Sequence, residues 1–208
     1  MTDYRKESDS LGEVKVPADA LYGAQTQRAI DNFDYSQKNQ IFRQNRPLPV
    51  PFILCLAQVK KAAARANDDL DCIKSEQSQA IVAACDDIIS GKYMDQFPVS
   101  VFQTGSGTSS NMNMNEVIAS LAKQSMTSHS DRNDNSRVHP NDHVNYGQSS
   151  NDVIPTAVQL ALLVTVVERV FPAIDKMLSR LNELASKYHS VIKTGRTHLM
   201  DAMPLSLA

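Results

Sequence analysis

Three short segments of this sequence gather neutral hydrogen-bonding side chains around glycines. Residues 103–116, "QTGSGTSSNMNMNE", place the hydroxyls of Ser106, Thr108, Ser109 and Ser110 beside Gly105 and Gly107. A helix start expected there would aim backbone amides at an anion. Residues 139–152, "HPNDHVNYGQSSND", contain no glutamate, lysine or arginine and set Ser149, Ser150 and Asn151 at the entrance to a long apolar-periodic stretch. Residues 193–204, "KTGRTHLMDAMP", present Arg196, Thr197 and His198 just after Gly195. Neutral donors at helix entrances, with a histidine next to a hydroxyl, suit a small polyanion held by hydrogen bonds while a proton moves nearby.

Each segment also has a plainer reading. Serines and threonines before a helix serve as ordinary N-caps, and His198 alone reads as a solvated loop histidine. The first segment has neither the Gly-Lys-Ser/Thr of a phosphate-binding loop nor the third glycine of a dinucleotide fingerprint. His139 and His143 are spaced as a helical metal pair would be, but Pro140 and the Asn141–Asp142 dipeptide argue against the continuous helix such a pair needs. No metal site is expected.

The elements that must position these segments are mostly helical. Seven glycines in 208 residues is about half the usual frequency of roughly 7%. Apolar residues recur at helical spacing over 52–67 and 75–90, the latter closing near Gly91. A third helix is expected over 111–124 and a polar connection over 125–138. The longest pattern runs from 155 to about 188, roughly 50 Å at 1.5 Å per residue, with Pro172 expected to kink it. The third polar segment is expected to close that helix at Gly195. Near the amino terminus, Pro17 and Gly23 bracket a strand-and-turn arrangement before a short helix, and the stretch 34–51 reads as a proline-rich loop. The stripe on the long helix suggests a bundle, completed within the chain or by other subunits.

Composition narrows the function classes. With 21 basic and 23 acidic residues and a net charge of −2, the chain lacks the basic footprint of a nucleic-acid binder. The charged start "MTDYRKESDS" is not a signal peptide. The most apolar run, 158–167, is about ten residues and falls short of the roughly 20 needed to span a bilayer, so no membrane is expected and a soluble, cytoplasmic protein is. Cys55, Cys72 and Cys85, odd in number and without Cys-x-x-Cys spacing, are expected to be reduced thiols packed in helices.

The strings "GSGTSSNMNMNEVIA", "HPNDHVNYGQSSND" and "GRTHLMDAMPLSL" closely resemble the class II fumarate hydratases of the fumarase/aspartase superfamily, and "DSLGEVKVPADALYGAQTQRAIDNF" is similar to their amino-terminal segment. Aspartate ammonia-lyases share much of this scaffold. The His-Pro of "RVHPND" and the Thr-His of "GRTHL" look more like fumarases. The resemblance implies a mainly α fold: an amino-terminal mixed helical domain over 1–145, then the start of a central helical bundle over 146–208. It implies reversible hydration of fumarate to L-malate, a tricarboxylic acid cycle reaction, without metal or organic cofactor. Ser106, Gly107, Thr108, Ser149, Ser150 and Asn151 would contact a substrate carboxylate and Thr197 would bind substrate. His198 would transfer a proton through a bound water. His139, Pro140, Asn141 and Asp142 correspond to a second anion site.

Two departures qualify this. Ser136, with Arg137 beside it, stands where some relatives carry an arginine before the second site. The family's glycine-serine-serine loop, which bears a serine thought to act as base, is absent from these 208 residues. The chain therefore resembles an amino-terminal portion of a homotetramer whose active sites draw on three subunits, and it is expected to be inactive alone. A noncatalytic helical assembly module is the competing reading.

Overall fold

The computed structural model describes residues 3–33, 47–127 and 138–208. Chain contacts divide it into two units, Met1–Ala161 and Leu162–Ala208, each described by itself.

The first unit opens with a hairpin, β1 (Tyr4–Asp9) paired antiparallel with β2 (Gly12–Pro17). Arg5 reaches across it, donating to the carbonyls of Pro17, Ala20 and Tyr22. Arg28 of α1 (Ala24–Phe33) grips Asp9 through two nitrogens at 2.9 and 3.0 Å, which ties hairpin to helix. The strand pair ends at Pro17, and the stretch between Pro17 and Gly23, where a strand and turn are expected, is a turn leading into the short helix. Most of the proline-rich stretch 34–51 lies outside the described residues, as does most of the polar connection 125–138, with Ser136 and Arg137.

The core is built on α2 (Val50–Asp69), α3 (Ser75–Ile89) and α4 (Thr108–Thr127). Their apolar stripes meet through Leu56, Ile81, Ile88, Met114 and Ile118, each at most 1% exposed. Full burial of such side chains contributes about 1.5–3 kcal/mol apiece. Helix α4 begins at Thr108, three residues before the expected start, because the polar residues 108–110 form its first turn. A first π-type turn, Pro140–Val144, packs on α4 and buries Val144. Cys55 and Cys85 are buried in helices as expected, whereas Cys72 is exposed in the bend after α2.

Helix α5 (Ser150–Thr165) starts five residues before Pro155, so the proline lies inside the helix rather than at its entrance. A second π-type turn, Val166–Val170, follows, and then α6 (Phe171–Tyr188) with Pro172 in its first turn. A kink is expected at Pro172; the helix there changes its hydrogen bonding in this widened turn just ahead of the proline, which accommodates a residue without an N–H. The helical run Ser150–Tyr188 is 39 residues long and by length and composition apolar enough to cross a membrane. The short continuous run 158–167 understated this, since Gln159 and Thr165 interrupt the run without ending the helix.

In the second unit, α6 exposes Phe171, Ile174, Met177, Leu178 and Leu181. The chain does not stay helical to Gly195. Helix α6 ends at Tyr188, and Gly195 lies in β3 (Ile192–Thr197), paired antiparallel with β4 (Met200–Ser206). A side chain at Gly195 would meet Leu205 Cδ1 at 2.6 Å, so the glycine serves a close strand contact and not a helix cap.

Candidate functional site

Two of the three polar segments meet inside the first unit. Gly107 adopts φ +65°, and a β-carbon there would lie 2.9 Å from Ile154 Cγ2. The start of α4 is thereby set against the first turns of α5. Between them lies a cavity of about 400 Å³ bordered by Gly105, Ser106, Ser150, Asn151, Ile154 and Pro155. Among the described residues, no charged side chain borders it. The Ser106 and Thr108 hydroxyls are 3.0 Å apart.

Capping is shared out in a way the serine-rich string did not reveal. Gln103, not a serine or threonine, holds the α4 start: its Oε1 accepts from the Ser110 amide and its Nε2 donates to Ser110 Oγ and to the Ser100 carbonyl. Ser149 Oγ accepts from the Asn151 amide at 3.2 Å and so caps α5. Ser106 and Ser150 are left facing the cavity.

Behind Ser150 runs a buried amide network. Asn111 Nδ2 donates to Ser150 Oγ at 3.0 Å and to Asn145 Oδ1 at 3.1 Å. Because the Ser150 oxygen already accepts, its own proton is available to a further acceptor. Lys60, with no exposed surface, donates to Asn145 Oδ1 and Gln148 Oε1, both at 2.9 Å. Burial pulls its pKa down to about 7, opposed weakly by Cys85. Sequence reasoning missed Lys60, Asn111, Asn145 and Gln148, because nothing local marks a lysine in a helical stripe as buried.

The second anion segment folds on itself. His139 Nδ1 accepts from the amides of Asn141 and Asp142, and lies 3.1 Å from the Asp142 carboxylate. The His139 amide donates to His143 Nδ1 at 2.8 Å. Burial holds the His143 pKa below the usual histidine value, with Asp142 opposing. His139, Pro140 and Asn141 border a separate cavity of about 570 Å³ together with Arg5 and Lys123. Among the described residues, no group of three or more His, Cys, Asp or Glu is placed to hold a metal ion.

Thr197 and His198 belong to the second unit. Thr197 ends β3, and the two-residue turn His198–Leu199 joins it to β4 at Met200. Both turn residues have positive φ, +55° and +63°, the geometry of a type I′ turn normally filled by Asn-Gly. His198 is exposed there. It is a hairpin-turn residue, not one in an irregular loop.

A family profile described as "Lyase" matches residues 12–208. The chain belongs to the lyase family. This lyase-family chain is 54% identical over 206 residues to the class II fumarate hydratase of Halobacterium salinarum, covering 99% of the chain and 41% of the relative. It is 45% identical to that of Bacillus subtilis, covering 99% and 42%. The recombinant class II fumarase of Schistosoma mansoni superposes with a TM-score of 0.87 at 40% identity, over 99% of this chain and 41% of that one. A fumarate lyase:delta crystallin from Brucella melitensis gives 0.87 at 46% identity, over 99% and 46%. The resemblance carried by the motifs thus extends through nearly the whole chain. The chain spans about two-fifths of the length of the curated relatives it matches.

Proposed function

We propose that this chain is the amino-terminal part of a class II fumarate hydratase that reversibly adds water to fumarate to give L-malate. The observation that carries the reading is the convergence of Ser106 with Ser150 and Asn151 on one uncharged cavity between two helix starts. Removing a proton beside a carboxylate builds a dianionic aci-carboxylate. Neutral donors fixed before the reaction stabilise that charge as it develops.

In this reading Ser106, Gly107, Thr108, Ser149, Ser150 and Asn151 receive a substrate carboxylate, and the Ser149 oxygen also shapes the turn that presents them. Thr197 binds substrate and His198 moves a proton through a bound water. His139, Pro140, Asn141 and Asp142 form a second anion site, and the domain boundary falls near residue 145. The assembled protein is a cytoplasmic homotetramer in which other copies cover the apolar face of α6, whose members Phe171, Ile174 and Leu181 are exposed in the single chain. That same exposed face supports the alternative of a noncatalytic helical assembly module.

The deciding experiment assays the purified 208-residue chain with fumarate and with L-malate, alone and mixed with the remaining carboxy-terminal portion of the Halobacterium salinarum relative. The chain alone should be silent, since these residues hold no glycine-serine-serine loop. Turnover on mixing supports the hydratase. Stable oligomers that stay silent with fumarate on mixing favour the module, and ammonia released from L-aspartate would redirect the reading to an ammonia-lyase.

A further inference from the structure

A lysine wholly removed from solvent normally faces a carboxylate, because an isolated buried ammonium is costly. Lys60 of α2 has neutral partners instead. Its Nζ donates to Asn145 Oδ1 and Gln148 Oε1 at 2.9 Å, and both acceptors lie in the turn that precedes the α5 start. The two amides are themselves tied down: Asn145 Nδ2 donates to the Gln148 carbonyl, and Gln148 Nε2 donates to the Val144 carbonyl. Asn111 of α4 links Asn145 Oδ1 to Ser150 Oγ. One ammonium thus holds a turn whose next three residues are Ser149, Ser150 and Asn151.

We infer that Lys60 is a positioning residue for the serine-bearing segment: by bridging Asn145 and Gln148 it fixes where Ser149, Ser150 and Asn151 stand, and it lends that segment a buried positive charge toward an anion. The inference deepens the hydratase reading and rests on it for the identity of the anion.

The surroundings make charge and geometry separable. From α3 the titratable neighbour is Cys85, which burial pushes up to about 12 and leaves a neutral thiol. The π-type turn contributes His143, held below the usual histidine value by burial, and α4 contributes the neutral amide of Asn111. A neutral lysine keeps two N–H groups, enough for both acceptors, so deprotonation removes the charge and leaves the clamp. Replacement by methionine removes both.

The test is nuclear magnetic resonance on the labelled 208-residue chain. In the wild type, the Lys60 side-chain signals should titrate near pH 7, well below an ordinary lysine, and the Ser150 and Asn151 amides should follow the same midpoint. His139→Gln and His143→Gln should leave that midpoint in place. Lys60→Met should abolish it and raise amide exchange at 145–151 by roughly tenfold or more, with α3 amides unchanged, and Lys60→Arg should restore protection. Ser150 and Asn151 amides indifferent both to Lys60 titration and to Lys60→Met overturn the inference. None of these readouts needs turnover, so failure to hydrate fumarate and failure of the lysine clamp are seen in different experiments.

Discussion

Gly107 and Ile154 stand so close that a β-carbon on the glycine would lie 2.9 Å from Ile154 Cγ2. This contact brings the starts of α4 and α5, at Thr108 and Ser150, together, and with them the donors of two separate segments. Gly107→Ala must therefore pay for a positive φ and for the overlap. The expected loss is about 2–4 kcal/mol, from roughly 1 kcal/mol of backbone strain and 1–3 kcal/mol of overpacking. Gly105→Ala is the control: nothing lies within 4 Å of its β-carbon position, and its effect should stay within about 0.5 kcal/mol. Equal denaturation midpoints for the two variants would remove the contact from the argument.

Lys60 gives stability a definite pH dependence. Its folded pKa, about 7, lies below the ordinary 10.5, so between these values the unfolded chain binds the extra proton and stability rises with pH. The destabilisation is fully present below pH 7 and is relieved as pH climbs. Cys85 acts oppositely above pH 9, since its thiol is held up to about 12 from an ordinary 9.0 and the unfolded chain loses that proton first. The clean window is pH 7–9, where the slope should approach about 1.4 kcal/mol per pH unit. Urea midpoints across that window should rise in the wild type and flatten in Lys60→Met.

Glu116 joins distant elements. Its carboxylate accepts from the amides of Gly23, Gln25 and Thr26 and from the Thr26 hydroxyl, at 2.6–3.1 Å. It caps α1 from another helix. Glu116→Gln puts a donor where an amide donates, and should cost roughly 1–3 kcal/mol. Hydrogen exchange should show the loss first in the hairpin and α1; uniform loosening of all helices would contradict this.

His198 occupies a positive-φ turn position, where asparagine is tolerated better than most residues. His198→Asn therefore tests chemistry with the hairpin retained. In the mixed, complete enzyme it should slow fumarate hydration by roughly 10² to 10⁴. His198→Val, a β-branched residue at φ +55°, should also disturb β3 and β4. Full turnover by the asparagine variant would take His198 out of the mechanism.

The helices α2 and α3 could be read to within about two residues, because a 3.6-residue apolar period repeats over several turns and the ends carry proline or glycine signals. The hairpin β3–β4 could not. Glycine normally stops a helix, which makes Gly195 read as a cap, while its real duty is to let Leu205 approach across a strand pair. The motif residues were visible as a chemical type, and Ser106, Ser150 and Asn151 do share a cavity. Their support was invisible: the bonds from Lys60 span 85 and 88 positions, and no local pattern distinguishes that lysine from the half-buried Lys61 beside it. Ser149, one of the expected carboxylate donors, also caps α5 through its oxygen, a second duty that the string does not show.

The bond from the Gly23 amide to Glu116 also imposes an order on synthesis. The cap on α1 lies 93 residues further along the chain. At a translation rate of about 5–20 residues per second, the first hairpin and α1 wait on the order of 5–20 s for it. Throughout that interval Ala24 and Ala29, buried in the finished fold, have no α4 to lie against. The nascent amino terminus thus keeps that apolar face open to solvent until α4 emerges, and codons that slow the ribosome between residues 33 and 116 would lengthen its exposure.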